Sequence, residues 1–233
     1  MEVILAGAGT PAPPPVTALV DADLLAEVPP ALTELLRLLP QADVYLQDEV
    51  QLAFHPPLTR VWCRTGRRGQ RLVEAPGAND KVDGFGLVDW CDGWFEGRLA
   101  PSRTAEVFCA QVRAAVERSR GRGRLAFIIA DNLRPHTPTG SKLVRQRLAE
   151  LHDHLRVVYT PAYDPDAKRI EWLWRWSRRE VPDNHQRATF AALLDDIQVH
   201  FQTLAQQPAL VLRHIGSPFA DQTSTEPPLA CAA

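Results

Sequence analysis

The sequence predicts an α/β domain, a mixed sheet flanked by helices. Three observations lead there. Strand-like runs come first, at 43–50, 60–64 and 81–90, and Asp92-Gly93 supplies a hairpin turn into 94–99. Helical and strand patterns then alternate from 104 to 204. One of these strands, RLAFIIA at 124–130, is apolar almost throughout, as in a strand covered on both faces. The order that results is an antiparallel meander, then helix–strand–helix–strand–helix.

Each element has its own signature. Residues 43–50 (DVYLQDEV) alternate as a strand, and Gly66 closes the run RVWCR at 60–64. Residues 104–118 bring Val107, Phe108, Val112 and Val116 to one side, and Gly121 and Gly123 break the helix. A polar helix is expected over 141–154, a strand over 155–160 (LRVVYT) and a Trp/Arg-rich helix over 169–180. The last helix, 189–204, aligns Phe190, Leu193, Leu194, Ile197, Phe201 and Leu204. Seven of the 20 prolines fall in the first 40 residues, where ALTELLRLL (31–39) forms a short helix ended by Pro40. The expected organisation is a Pro-rich leader with a short helix (1–40), a folded domain (41–215) and a disordered tail (216–233).

Composition narrows the function. Apolar residues make up 45% and charged residues 23% of 233, which excludes wholesale disorder and fibrous repeats. No run of 18 apolar residues exists, so no transmembrane helix and no membrane partner are expected. The opening MEVILAG lacks a basic start, unlike a signal peptide. Cys63, Cys91, Cys109 and Cys231 match no zinc spacing and read as reduced cytosolic thiols. Net charge is −2, yet residues 1–50 hold eight acids and one base, so the remainder is basic. Nearly all of those bases are Arg, which grips phosphate with a planar fork.

Three carboxylates stand out. Side chains alternate along a strand, so Asp48 shares a side with Val44, Leu46 and Val50, where a lone charge is costly. Taken singly, a strand ending at Gln47 with a solvated Asp48 explains it equally well. Asp131 follows the apolar strand directly, at the carboxyl end where open α/β sheets place ligands; a turn-capping Asp is the alternative. Glu171 opens the helix 169–180 and shares a face with Arg175, Arg178 and Arg179; complementing the helix dipole and pairing with Arg175 is the alternative. Together, the three can converge at one edge of a mixed sheet. Their oxygens suit Mg²⁺, and two such ions about 4 Å apart stabilise both oxygens of an in-line phosphoryl displacement. The Arg ridge beside Glu171 suits a nucleic-acid backbone.

These residues lie in three stretches: QDEVQLAFHPPLTRVWCRTG (47–66), IIADNLRPHT (128–137) and TPAYDPDAKRIEWLWRWSRREV (160–181). In this order, and with 82 and 39 residues between the three acids, the chain resembles the catalytic domain of DDE transposases, the mariner-like insertion-sequence group of DDE superfamily endonucleases. The resemblance implies an RNase H-like fold with Asp48, Asp131 and Glu171 as the metal-binding triad. Two Mg²⁺ (or Mn²⁺) ions would sit there, bridged by Asp48, with one held by Asp131 and one by Glu171. It implies metal-dependent cleavage of double-stranded DNA at element ends, then attack of a 3′-hydroxyl on target DNA, in a dimer. Asn132 and His136 match the second motif as supporting residues. Glu49 follows the first Asp in the family too, but strand parity makes it the weaker ligand.

The third motif departs from the family. Lys168 and Arg169 stand where Asn-Pro is usual, and Asp164 replaces Ser. The helix-turn-helix modules that precede the family's catalytic domain have no counterpart in the Pro-rich first 40 residues. The expectation is a catalytic half that works with an upstream helix-turn-helix polypeptide. Arg64, Arg67 and Arg68, with Lys168, Arg175, Arg178 and Arg179, are the candidate DNA-facing bases; Arg60 and Arg71 flank the first group. The run Arg113, Arg118, Arg120, Arg122, Arg124 reads as a solvated face. Trp172, Trp174 and Trp176 are of a type that stacks on bases, but at least Trp174 reads as core, because it keeps helical register with Ile170. His152 and His154 read as surface histidines. Two other readings fit the same residues: a catalytically silent remnant that only binds DNA, and an RNase H-like nuclease acting on RNA–DNA hybrids.

Overall fold

The structure is a computed structural model and describes residues 42–60, 65, 73, 77–160 and 169–216. The leader, the tail, Cys63, Cys231, Arg64, Arg67, Arg68, Arg71 and Lys168 lie outside these residues, as does the strand expected at 60–64 apart from Arg60, which is not in a strand.

Chain order is β1 (Ala42–Ala53), β2 (Lys81–Asp89), β3 (Phe95–Ala100), α1 (Ala105–Gly121), β4 (Leu125–Ala130), a 3-10 turn (Arg134–His136), α2 (Lys142–Glu150), β5 (Leu155–Tyr159), α3 (Ile170–Glu180), α4 (Phe190–Gln206) and α5 (Pro208–Ile215). The five strands are ordered β3-β2-β1-β4-β5, so β1 is central. β1 pairs antiparallel with β2, and β2 with β3, whereas β4 and β5 run parallel. This is the expected mixed sheet.

Helices cover both faces, which is why nine consecutive residues of β1 are buried. On one face Leu46, Val50, Leu52 and Val88 pack with Ile170, Leu173 and Trp174 of α3, Leu193, Ile197 and Phe201 of α4, and Val211 and Ile215 of α5. On the other face Tyr45, Leu87, Ala126 and Ile128 pack with Phe108, Val112, Ala115 and Val116 of α1 and Val144 of α2. Trp174 is core, as its helical register predicts, and Trp172 is exposed.

Close packing of α3 depends on missing side chains. Gly86 and Gly97 face each other across β2 and β3, and Asp48 pairs with Gly86 on β1. A Cβ on Gly86 would overlap the Trp174 ring, and one on Gly97 would stand 2.5 Å from the Phe201 ring. The two glycines therefore form a trough in which both aromatic rings rest. Ile170 reaches the same place, 3.4 Å from that Gly86 position. The first turn of α3 is thus held over β2, beside Asp48's own strand.

The arginine run corrects one expectation. Arg118, Arg122 and Arg124 are not simply solvated. Arg118 and Arg122 bind Asp92 at 2.7 and 2.5 Å, Arg122 reaches the fully buried Asp89 at 3.2 Å, and Arg124 binds the buried Asp43 at 2.5 Å. Carboxylates buried at the strand ends need these partners. The Asp92-Gly93 turn forms as expected, with Gly93 at φ +77°. Helix α5 adds to the expected elements. Its signals are Pro208 in its first turn and Gly216 just beyond its end.

If the trough positions α3, Gly86→Val should cost about 1–3 kcal/mol in chemical denaturation, the usual range for overpacking. Unchanged stability would show that Trp174 can move aside freely.

Candidate active site

Alternation along β1 sends Asp48 and Glu49 to opposite faces. Asp48 lies on the side of Leu46 and Val50, toward α3, as parity predicts. Glu49 lies on the side of Tyr45 and Gln47, toward α1. Both acids are buried.

Asp131 follows the last residue of β4, at the expected strand end, and its side chain stays 17% exposed. The chain then turns into Arg134–His136, which carries His136 inward until it is fully buried. Phe108 of α1 stacks on the His136 ring, 4.7 Å between centroids and 9° between planes. The Tyr159 hydroxyl donates to the His136 carbonyl at 2.8 Å. Held this way, the ring has Nδ1 3.3 Å from Asp131 Oδ1 and Nε2 3.5 Å from Glu49 Oε1. Asn132 is exposed beside Asp131.

The structure therefore brings Glu49, Asp131 and His136 together, with one ligand atom of each within 4.8 Å of the others. Asp48 and Glu171 are not part of that tight group. Asp48 is near enough for its charge to act on Glu49. Glu171 is half-buried in the first turn of α3, between the buried Ile170 and the exposed Trp172. Among the described residues no ion pair joins Glu171 to Arg175; the Arg175 guanidinium lies 6.0 Å from the Trp172 ring centroid instead. Arg175, Arg178 and Arg179 are all exposed on this helix. His152 is exposed, as expected of a surface histidine, and so is His154.

Parity alone does not reveal that Glu49 is buried. It treats one face of the strand as meeting water, but β1 is central and covered twice. The signal is present in Tyr45, Gln47 and Glu49, a polar row on the second face of a strand whose first face is mostly apolar.

Burial pushes the Glu49 carboxyl from its ordinary 4.5 up to about 7. His136 and a hydrogen bond from Gln47 oppose the rise, while the charges of Asp131 and Asp48 add to it. Glu49 Oε2 and His136 Nε2 are buried without a hydrogen-bond partner. Crowded carboxylates with an orphaned oxygen fit a divalent cation, and a donor set rich in carboxylate oxygen suits Mg²⁺ or Mn²⁺.

The family model described as DDE superfamily endonuclease matches residues 43–200. The chain belongs to this family. Among solved structures, the mariner Mos1 paired end complex with Mg is similar at TM-score 0.51 and 16% identity, covering 74% of this chain and 53% of that one. The Mos1 transposase paired-end complex with left transposon end gives 0.50 and 16%, covering 75% and 55%. The Mos1 mariner paired end complex with Mn gives 0.50 and 14%, covering 74% and 53%. These likenesses show the RNase H-like fold, and the chain spans little more than half the length of those structures. A search of curated proteins finds no match. No helix among the described residues is long and apolar enough to cross a membrane.

A raised carboxyl pKa favours the protonated folded state. Glu49's contribution to stability is thus complete below about 4.5 and lost as pH rises through about 7. In EDTA, Glu49→Gln should be more stable than the wild type at pH 8, by about 3 kcal/mol at most, with the gap closing toward pH 4. A gap independent of pH in urea denaturation would refute this.

Proposed function

We propose that residues 41–215 of this DDE superfamily endonuclease are the catalytic domain of a transposase that cuts double-stranded DNA and joins the freed 3′-hydroxyl to target DNA. The observation that carries the reading is the meeting of Glu49, Asp131 and His136, one ligand atom of each within 4.8 Å of the others, with Asp48 next to Glu49 on β1 and the first turn of α3 held beside that strand by the Gly86–Trp174 contact. Asp48, Asp131 and Glu171 are the residues that would hold two Mg²⁺ or Mn²⁺ ions. Such ions, when bound, supply an activated water and stabilise the leaving oxygen.

The chain's own residues do the rest. Asp131, partly open to solvent, faces the incoming phosphate. His136 and Asn132 flank it. Arg175, Arg178 and Arg179 project from the helix that carries Glu171 and hold the backbone on either side of the scissile bond. Arg64, Arg67, Arg68 and Lys168, outside the described residues, are the other bases proposed to bind DNA. The similar Mos1 structures are paired-end complexes, one with a left transposon end, which supports transposon-end DNA as the substrate; the working unit in this reading is a homodimer. End recognition then falls to helix-turn-helix modules on an upstream polypeptide.

Two measurements test the reading. Asp131→Asn should lower Mn²⁺-dependent cleavage of duplex DNA by more than about a hundredfold, the scale on which losing transition-state charge stabilisation costs a reaction. Retained cleavage would reject the triad. Arg178→Ala should weaken binding to every duplex alike and reduce the slope of log affinity against log salt by about 1 for each phosphate the arginine grips. An unchanged slope would remove α3 from the DNA interface.

A further inference from the structure

We infer that Glu49 and His136 are positioning residues for Asp131: an imidazole clamped between two carboxylates fixes how Asp131 meets a divalent ion. The inference rests on the metal-dependent reading above and deepens it.

The clamp is anchored on every side. Asp131 Oδ1 takes the Leu133 N–H at 3.3 Å as well as the approach of His136 Nδ1. The His136 ring cannot tilt, because Phe108 lies flat against it, and its backbone is tied through the Tyr159 hydroxyl. Behind the ring stands Glu49, which accepts from Gln47 Nε2 at 2.5 Å. Gln47 reaches Gln111 of α1 at 3.4 Å, and Gln111 reaches the Glu96 carbonyl of β3 at 3.4 Å. A polar chain thus runs from β3 through α1 and β1 to the end of β4. Every side chain in it from Gln111 to His136 is buried.

Glu49, Asp131 and His136 are close enough to chelate an ion among themselves. Two features argue for a support instead. The imidazole turns different nitrogens to the two acids, Nδ1 to Asp131 and Nε2 to Glu49, and one ion can take only one of them. Exposure is also graded: the side chains of His136 and Glu49 are 0% and 1% exposed, whereas that of Asp131 is 17% exposed. A hydrated Mg²⁺ that must also meet a phosphate needs the outer position. The inner pair then sets the carboxylate's orientation, as outer-layer hydrogen bonds do at metal sites.

The test uses Mn²⁺ binding to the full chain, read by electron paramagnetic resonance, in the wild type, Glu49→Gln, His136→Gln and the double variant. Each single variant should weaken Mn²⁺ affinity about 10–100-fold, and the double should be no worse than the weaker-binding single, because both act through one path. Unchanged affinity in either single variant, or fully additive losses, overturns the inference. A wild type that binds no Mn²⁺ instead defeats the metal reading beneath it. Should the variants lose their fold by circular dichroism, nuclear magnetic resonance of ¹⁵N-labelled histidine in the wild type decides. Mg²⁺ should shift the His136 ring signals and leave those of the exposed His152 in place; His136 signals indifferent to Mg²⁺ overturn the inference.

Discussion

A central strand covered on both faces is the constraint from which the site follows. Had β1 been an edge or a half-solvated strand, the neighbouring acids Asp48 and Glu49 would point one into the protein and one into water. With α1 on one side and α3 to α5 on the other, both are buried, in different layers. Two buried carboxylates on adjacent residues of a strand are unfavourable unless each layer offers compensation. On the α1 side that compensation is visible as Gln47 and His136. On the α3 side lies the helix that carries Glu171 and the exposed arginines. The position of the strand in the sheet therefore matters more to the chemistry than its sequence alone.

The compensation is local, and the molecule uses the same device elsewhere. Asp43 and Asp89 lie at one end of the β1–β2 pair, and Asp92 just beyond it; Arg118, Arg122 and Arg124 neutralise them. That end of the sheet sets three arginines against three acids, although Asp43 Oδ2 is buried without a hydrogen-bond partner. Around Glu49 the balance is different. Among the described residues the acids there outnumber the bases, and the Glu49 carboxyl holds its proton more tightly than usual. A charge-matched network suits a structural end, and an acid excess is what the proposed cation site needs.

Much of this is legible from residues. The Asp92-Gly93 hairpin, the apolar β4 and the helical stripe of α4 are local patterns, and they form within a few residues of their expected places. Asp131 is legible because an acid directly after an apolar strand has few other places to be. Strand β1 runs on to Ala53, because Leu52 continues the alternation past Val50. What is not legible depends on the order of strands in space. Glu49's burial requires knowing that β1 is central. The row of Asp48, Gly86 and Gly97 requires the register across three strands. The pairing of Arg118 and Arg122 with Asp92 joins residues 26 and 30 positions apart, which no helical period reveals.

Helix α3 shows how packing and function are tied in one element. Its buried stripe, Ile170, Leu173, Trp174 and Ser177, is also what sets its rotation, because Trp174 must fall into the glycine trough. Once that rotation is set, Trp172, Arg175, Arg178 and Arg179 have no choice but to face outward. Glu171 sits between the two stripes, half-buried at the boundary of core and solvent. An acid placed there keeps partial access to water while its backbone is anchored by the core, which is the compromise the ligand role proposed for Glu171 requires. Moving the tryptophan by one position would rotate the helix by about 100°, and with it both the acid and the arginine ridge. The aromatic ring and the glycine that admits it are thus as much a part of the site's geometry as the carboxylates themselves.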